Sequence, residues 1–210
     1  ILPFEKEYYK KLKYDVIYVG HPLLDVLKKN VKENSNREKL IALLPGSRDQ
    51  EISKILPIML KVTKYFKKYR FIICAAPSKT KSFYKSFISG SNYENVEIVE
   101  DQTYNILERS SAALVTSGTA TLEAALIKTP QIVCYKSSWI SILIGKFLLR
   151  NLKFISLVNL ILNKPAIKEL IQDDLNIKNI RNELEIILSK DGKEKIIGFY
   201  NELESLLNTK

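Results

Sequence analysis

The chain has 210 residues, of which 46% are apolar and 27% are charged, a composition typical of a folded globular protein rather than of intrinsic disorder. Lys and Arg outnumber Asp and Glu by 33 to 23, giving a formal net charge of +10, while two Cys and one His argue against a disulfide scaffold, a zinc site and a histidine-rich catalytic site. No apolar run is long enough to predict a transmembrane helix, and the N-terminus, which lacks a starting Met, does not resemble a signal peptide and suggests a fragment or a processed chain.

Short apolar runs alternate with helical patterns along the chain. In chain order the patterns predict strand 16–19, helix 23–29, strand 40–44, helix 50–69, strand 71–75, helix 80–88, strand 96–99, helix 105–110, strand 112–115, helix 119–127, strand 131–135, and helices 139–150, 165–172, 177–189 and 194–207. Strands that alternate with helices are typical of a parallel sheet, and strands that are apolar throughout indicate helices on both faces. We therefore predict an α/β fold with a Rossmann-like parallel sheet and additional C-terminal helices.

The predicted elements divide the chain into three parts. Residues 1–18 form a lead-in, residues 19–175 form the Rossmann-like domain, and residues 176–210 form a helical tail. Cys74 and Cys134 both fall in apolar strands, so we predict that they are buried, reduced thiols of a cytosolic protein.

The positive charge is concentrated in two windows that contain no acidic residue. Residues 52–93 hold nine basic side chains and residues 124–168 hold seven, whereas the rest of the chain has 17 basic and 23 acidic residues. Such windows indicate a surface that faces an anion, which could be nucleic acid, a phosphorylated substrate or an anionic membrane. The alternative is that the lysines simply occupy solvated helix faces.

In parallel sheets ligands bind at the carboxyl ends of the strands, so glycine turns at those ends are the candidate sites. Ser117, Gly118 and Thr119 join a predicted strand to a predicted helix, where free amide groups and the helix dipole favour an anion. Thr121 adds a hydroxyl, and Glu123 could accept hydrogen bonds from sugar hydroxyls. The alternative is an ordinary capped helix start.

A second turn of this kind contains Pro45, Gly46, Ser47 and Arg48. The planar guanidinium of Arg48 matches the oxygen atoms of a phosphate, although a surface Arg after a turn would look the same in the sequence. Neither turn has the glycine spacing of a dinucleotide-binding fingerprint or of a Walker A loop, which argues against nicotinamide cofactors and ATP hydrolysis.

Other chemistry-bearing residues give weaker signals. His21 stands before a proline, where a structural role is the more frequent one. The carboxylates nearest to strand ends or motifs are Asp25, Asp101, Glu123 and Glu169, and the sequence does not pair any two of them as general acid and base. The apolar helix 139–150 is predicted to be a core helix, with an interfacial membrane helix as the alternative.

Five segments, taken in order, resemble the lipid-A-disaccharide synthase family. They are Val-Gly-His-Pro-Leu-Leu-Asp at 19–25, Leu-Leu-Pro-Gly-Ser-Arg at 43–48 with Glu-Ile at 51–52, Ser-Gly-Thr-Ala-Thr-Leu-Glu-Ala-Ala-Leu at 117–126, Ile-Ser-Leu-Val-Asn-Leu-Ile at 155–161 and Glu-Leu-Ile-Gln at 169–172. Each motif alone is weak, but the set in this order is specific.

The resemblance implies the C-terminal, donor-binding half of a GT-B glycosyltransferase, a fold with two Rossmann-like domains that would make residues 1–18 an interdomain segment. Such an enzyme joins UDP-2,3-diacylglucosamine to 2,3-diacylglucosamine 1-phosphate and releases UDP, without a metal or another cofactor. The implied location is the cytoplasm, peripherally at the anionic inner membrane of a Gram-negative bacterium. A homodimer through the C-terminal helices is a further implication, and nucleic acid is not an expected partner.

The resemblance also implies roles for individual residues. The turn at 46–48 would bind near the pyrophosphate, the turn at 117–119 would hold a phosphate, and Glu123 would bind the ribose. Asn159 would be a catalytic residue, while the general base and the acceptor pocket would belong to an N-terminal domain that this chain lacks. Val158 stands where the family has Pro, a change that removes the fixed φ angle before Asn159.

Two alternatives remain open at this point. One is another GT-B enzyme that uses a UDP-sugar, such as a UDP-N-acetylglucosamine 2-epimerase or a peptidoglycan glycosyltransferase. The other is a basic, non-enzymatic module that binds a membrane or nucleic acid, suggested by the charge windows.

Overall fold

Six parallel strands form the centre of the molecule, which we describe from a computed structural model covering residues 2–30, 37–89, 93–136 and 153–208. In chain order the strands are β1 (Glu38–Leu44), β2 (Arg70–Cys74), β3 (Val96–Val99), β4 (Ser110–Thr116), β5 (Gln131–Tyr135) and β6 (Lys168–Ile171). They are hydrogen-bonded in the order β3-β2-β1-β4-β5-β6, and every pair is parallel.

The helices lie before, between and after the strands. They are α1 (Glu5–Lys11), α2 (Pro22–Asn30), α3 (Asp49–Thr63), α4 (Lys81–Ile88), α5 (Thr103–Arg109), α6 (Thr119–Leu126), α7 (Leu157–Leu162), α8 (Ile177–Leu188) and α9 (Lys190–Leu207), with a 3-10 turn at Gln172–Asp174. The helix predicted at 139–150 lies outside the described residues. None of the helices in the described part of the chain has the length and apolar character of a membrane-crossing helix.

Helices cover both faces of the sheet, as the apolar strands predicted. Alternate residues of β1 enter different cores: Ile41 and Leu43 pack with buried residues of α3, α8 and α9, while Leu40 and Ala42 pack with residues of α2, α5 and α6. A strand that is buried on both faces must be apolar at every position, which explains the continuous run at 40–44. Both cysteines are buried and free, as predicted, while their assignment to a cytosolic protein stays a prediction.

The C-terminal helices are part of the larger core. Ile180 and Leu184 of α8 and Tyr200 and Leu203 of α9 are fully buried in the same cluster as β1. The carbonyl of Leu207 also accepts hydrogen bonds from the Tyr18 hydroxyl (3.0 Å) and the His21 amide (3.3 Å), which attach the segment before α2 to the end of α9.

Two sequence predictions about regular structure are wrong. Residues 168–171, which fall within the predicted helix 165–172, form strand β6, since pairing with β5 decides their conformation. Residues 16–19, predicted as a strand, pair with none of the described strands, and the side chain of Ile17 is 87% exposed.

Other helices also differ from the prediction. Helix α7 was not expected, α3 ends at Thr63 instead of at 69, and α9 begins at Lys190 instead of after Gly192. The Ser189 hydroxyl caps this helix by accepting a hydrogen bond from the Gly192 amide at 3.1 Å, so the glycine lies in the first turn and does not break the helix.

Candidate functional site

A cleft opens at the carboxyl ends of β1 and β4, the two central strands. The chain leaves β1 toward β2 on one side, whereas β4 leads to β5 on the other, and this reversal of direction separates the loops and creates a crevice. The cleft encloses about 210 Å³. Its lining comes from the ends of β1, β2 and β4, the loops after them and residues of α3, α5 and α6: Leu44, Gly46, Ser47, Glu51, Cys74, Ala75, Ala76, Pro77, Thr103, Thr116, Ser117, Gly118, Thr119, Ala120 and Glu123.

The predicted turn at 45–48 contributes Gly46 and Ser47 to one wall of this cleft. Gly46 has a φ angle of 102°, and an added Cβ would stand 2.9 Å from Oε2 of Glu51, so only glycine fits here without a shift of its neighbours. Arg48 lies beside this wall at the N-cap position of α3, is not among the residues that line the cleft, and has a side chain that is 83% exposed. The guanidinium pairs with Glu51 at 3.0 Å. An exposed pair of this kind is weak, so Arg48 can exchange Glu51 for a phosphate oxygen.

The predicted turn at 117–119 lies opposite, at the start of α6. An added Cβ at Gly118 would meet no atom within 4 Å, so the space beside this backbone is open. Thr119 is exposed, whereas the hydroxyl of Ser117 is already engaged, donating to the carbonyl of Ile155 at 2.9 Å. The first turn of α6 contains no acidic residue, while that of α3 contains Asp49 and Glu51. Helix α6 therefore provides the more favourable end for an anion.

A buried hydroxyl in the cleft has no hydrogen-bond partner among the described residues. Thr116 is 4% exposed, and its Oγ1 makes no hydrogen bond to that part of the chain. A buried polar atom without a partner costs free energy, so a ligand group or a water molecule that reached Oγ1 would be favoured. The sequence analysis did not single out Thr116, because a Thr at the end of an apolar strand carries no signal of its own.

Glu123 lies at the far side of the cleft, partly buried on α6. Burial raises the pKa of its carboxyl group, and a hydrogen bond from the Tyr104 hydroxyl at 3.2 Å acts in the opposite direction. Tyr104 is a second residue that the sequence analysis missed. Nothing in the local pattern of α5 indicates that this side chain reaches a residue 19 positions later.

Asn159, predicted to be catalytic, is not among the residues that line this cleft. It is 1% exposed, and both ends of its amide are engaged: Nδ2 donates to the Ile167 carbonyl and to Glu169, each at 2.9 Å, and Oδ1 accepts from the Ile167 amide at 3.0 Å. This geometry favours a positioning role for Asn159, and its direct participation in catalysis stays an untested prediction.

Glu169 organises the segment that precedes Asn159. Its carboxylate accepts hydrogen bonds from the amides of Ile155 (3.0 Å) and Ser156 (2.9 Å) and from the Ser156 hydroxyl (2.6 Å). Ser156 in turn caps α7 by accepting from the Asn159 amide at 3.3 Å. The placement of Asn159 thus depends on Ser156 and Glu169, and the neighbouring Val158 is buried in the core.

The remaining titratable groups near the cleft have ordinary structural roles. Burial raises the pKa of the Cys74 thiol to about 12, so this cysteine is protonated at neutral pH. His21 does not line the cleft. Its Nδ1 accepts a hydrogen bond from the Leu23 amide at 3.2 Å, and burial lowers the pKa of the imidazole. The described residues contain no group of three or more His, Cys, Asp or Glu arranged to hold a metal ion.

Comparison with known sequences identifies related proteins. The sequence model of the family described as Lipid-A-disaccharide synthetase matches residues 1–205. A lipid-A-disaccharide synthase of Francisella tularensis subsp. novicida (strain U112) is 34% identical over 236 residues, covering 100% of this chain and 62% of its own length. That of Francisella tularensis subsp. tularensis (strain WY96-3418) is 37% identical over 198 residues, covering 88% of this chain and 52% of its own. The chain thus spans 52% to 62% of the length of these curated relatives.

Solved structures share the fold at low sequence identity. A UDP-N-acetylglucosamine 2-epimerase superposes with a TM-score of 0.61 at 12% identity, covering 94% of this chain and 50% of that one. The glycotransferase of kitacinnamycin gives a TM-score of 0.55 at 12% identity, covering 84% of this chain and 41% of that one. At this identity the likeness establishes the Rossmann-like fold and nothing finer.

Proposed function

Because the chain belongs to the lipid-A-disaccharide synthetase family, we propose that it forms the donor-binding part of a glycosyltransferase of lipid A biosynthesis. The donor is UDP-2,3-diacylglucosamine, the acceptor is 2,3-diacylglucosamine 1-phosphate, and UDP is released. The observation that carries this proposal is the cleft at the reversal of strand order, which has one glycine turn on each side. The family match favours this activity over that of a 2-epimerase or a peptidoglycan glycosyltransferase, which the fold alone would also allow.

The two walls of the cleft suit the two charged parts of the donor. The amide groups at the start of α6, with the exposed hydroxyl of Thr119, bind a phosphate, and the guanidinium of Arg48 binds the pyrophosphate from the opposite wall. Gly46 and Gly118 allow the donor to lie close to the backbone. Negative charge grows on UDP as the bond to the sugar breaks, and a fixed cation and helix dipole stabilise it.

Glu123 binds the ribose in this proposal. Its carboxylate lies about one helical turn beyond Gly118, so a nucleotide whose phosphates rest on the start of α6 has its ribose within reach. An ionised carboxylate accepts hydrogen bonds from two neighbouring hydroxyls and so suits a ribose diol.

The test is UDP binding by this chain, measured by calorimetry. Arg48→Ala removes a charge-assisted contact to a phosphate, and we expect UDP affinity to fall by about 10- to 100-fold. Arg181→Ala is the matched control, because Arg181 is also an exposed arginine, paired at 2.9 Å with Glu185 on α8. Neither arginine lines the cleft itself, but Arg48 directly follows the lining residues Gly46 and Ser47, whereas Arg181 lies within α8. Equal UDP affinity of wild type and Arg48→Ala would show that this pyrophosphate site is assigned incorrectly.

A donor screen separates the two activity classes. The proposed function predicts that a UDP-sugar with two acyl chains binds better than UDP-N-acetylglucosamine, which lacks them. The opposite preference would favour a 2-epimerase or a peptidoglycan glycosyltransferase.

We also propose that the protein acts at the cytoplasmic side of the anionic inner membrane of a Gram-negative bacterium, because both substrates carry acyl chains. The segment 139–149, which contains Trp139, is the candidate contact and lies outside the described residues. If Trp139→Glu did not reduce flotation with anionic vesicles, this contact would be wrong. A homodimer is a further proposal, which the mass of the particle in solution tests by light scattering.

A further inference from the structure

Tyr104 and Glu123 connect two helices that border the cleft. The hydroxyl of Tyr104, on α5, donates to Oε1 of Glu123, on α6, across 3.2 Å. Both side chains are partly buried. The hydrogen bond therefore lies in a region of reduced solvent access, where it fixes the carboxylate more effectively than it would at the surface.

The second carboxylate oxygen of Glu123 remains available. Among the described residues, no group donates a hydrogen bond to Oε2 of Glu123. Glu123 lines both the cleft and an adjoining pocket that Tyr104 also lines, together with Pro77, Asp101 and Thr103. The carboxylate therefore has one oxygen held by the protein and the other free to meet a ligand at the junction of the two cavities.

We propose that Tyr104 is a positioning residue for ribose recognition: its hydroxyl fixes the Glu123 carboxylate so that Oε2 accepts a hydrogen bond from a ribose hydroxyl. The inference rests on the proposed function, since it requires UDP in the cleft. A flexible glutamate side chain loses rotamer entropy when it binds a ligand, and a side chain that is already fixed loses less. Tyr104 thus makes the protein select a ribonucleotide over a deoxyribonucleotide without touching the sugar.

The same hydrogen bond affects the ionisation of Glu123. Burial raises the pKa of this carboxyl group, and the bond from Tyr104 lowers it by stabilising the charged form. Ribose binding through an ionised acceptor weakens as pH falls through this pKa. Without the tyrosine hydroxyl the pKa is higher, so the loss of affinity begins at a higher pH.

Other ionisable groups surround this carboxylate, and the variants used in the test leave them all in place. The groups on the cavity walls are Glu51 of α3, Cys74 of β2 and Asp101 before α5. The neighbouring helix α2 carries Asp25 and Lys28. Beyond the far end of α6, Lys128 pairs with Glu204 of α9.

The experiment compares UDP with 2′-deoxy-UDP and 3′-deoxy-UDP by calorimetry between pH 5 and 8. We expect wild type to prefer UDP over at least one deoxy analogue. In Tyr104→Phe, UDP affinity should fall by about three- to tenfold, the size of one hydrogen bond. The preference for UDP over the deoxy analogues should become smaller, and the fall in UDP affinity at acidic pH should begin at a higher pH. Tyr69→Phe is the matched control, since Tyr69 is partly buried and lines neither cavity.

A double-mutant cycle with Glu123→Gln separates positioning from a structural effect. If Tyr104 acts through Glu123, adding Tyr104→Phe to Glu123→Gln should change UDP affinity little. The inference would be overturned if the two losses of UDP affinity were additive, or if Tyr104→Phe kept the wild-type ribose preference and pH profile. In either case, UDP binding by wild type would leave the proposed function intact. A wild-type chain that bound no UDP would overturn both.

Discussion

Single residues of the cleft are held by specific short-range contacts. Gly46 combines a φ angle of 102° with the near approach of the Glu51 carboxylate, and this carboxylate also holds Arg48. The conformation of the turn and the position of its cation are therefore linked through one glutamate. A change at the glycine should disturb both.

We expect Gly46→Ala to lower the free energy of unfolding by about 1–2 kcal/mol, because an L side chain is strained at this φ angle and its Cβ would displace Glu51. UDP affinity should fall as well. Chemical denaturation and calorimetry measure the two effects.

Gly198→Ala is the control for this substitution. Gly198 lies within α9, where an added Cβ would meet nothing within 4 Å, so alanine should stabilise the protein by about 0.5–1 kcal/mol. If both glycine variants changed stability alike, the special backbone of Gly46 would not be the cause.

At the scale of the elements, strand β6 fixes the position of residues 155 and 156, just before α7. The carboxylate of Glu169, on β6, accepts hydrogen bonds from the amides of Ile155 and Ser156. The carbonyl of Ile155 accepts a hydrogen bond from the hydroxyl of Ser117, just before α6. The edge strand is thereby joined to the wall of the cleft through one peptide unit. A carboxylate suits this position because the groups that face it in the described structure are donors.

Glu169→Gln should lower the free energy of unfolding by about 2–3 kcal/mol, since one of two acceptor oxygens becomes an NH₂ group that faces other donors. The displacement of Ile155 should also weaken UDP binding through Ser117. Denaturant titration and calorimetry measure these changes.

Glu183→Gln is the matched control, because within the described structure the polar contact of Glu183 is its ion pair with Lys168 at 3.7 Å. Its effect should be within about 0.5 kcal/mol. A Glu169→Gln variant as stable as this control would contradict the role given to Glu169.

At the scale of the whole molecule, the first acid-free window does not form a single surface. Lys67 and Lys68 lie in the turn before β2, at the amino end of the sheet, while Lys79 follows the carboxyl end of β2 and pairs with Asp49. The strand between them spans about 17 Å, from a rise of about 3.3 Å per residue. Charges that are close in the sequence are therefore divided between opposite ends of the sheet.

The double variant Lys67→Ala/Lys68→Ala should consequently keep UDP affinity within about twofold of wild type at physiological salt, because a charge farther away than the Debye length of about 8 Å is largely screened. Calorimetry at 0.15 M salt checks this. A loss comparable to that of Arg48→Ala would show that the window acts on the nucleotide as a unit.

The sequence by itself determined the parallel sheet, its two covered faces and the two glycine turns that border the cleft, and the order of its motifs indicated the family. These features are local, since a fully buried strand needs a continuous apolar run and a tight turn needs glycine. Only the tertiary structure decided that 168–171 is a strand, that Asn159 is buried on Glu169, and that Tyr104 holds Glu123. Each of these features depends on residues at least ten positions apart in the sequence, which come into contact only through chain packing. Local periodicity in the sequence does not indicate such contacts.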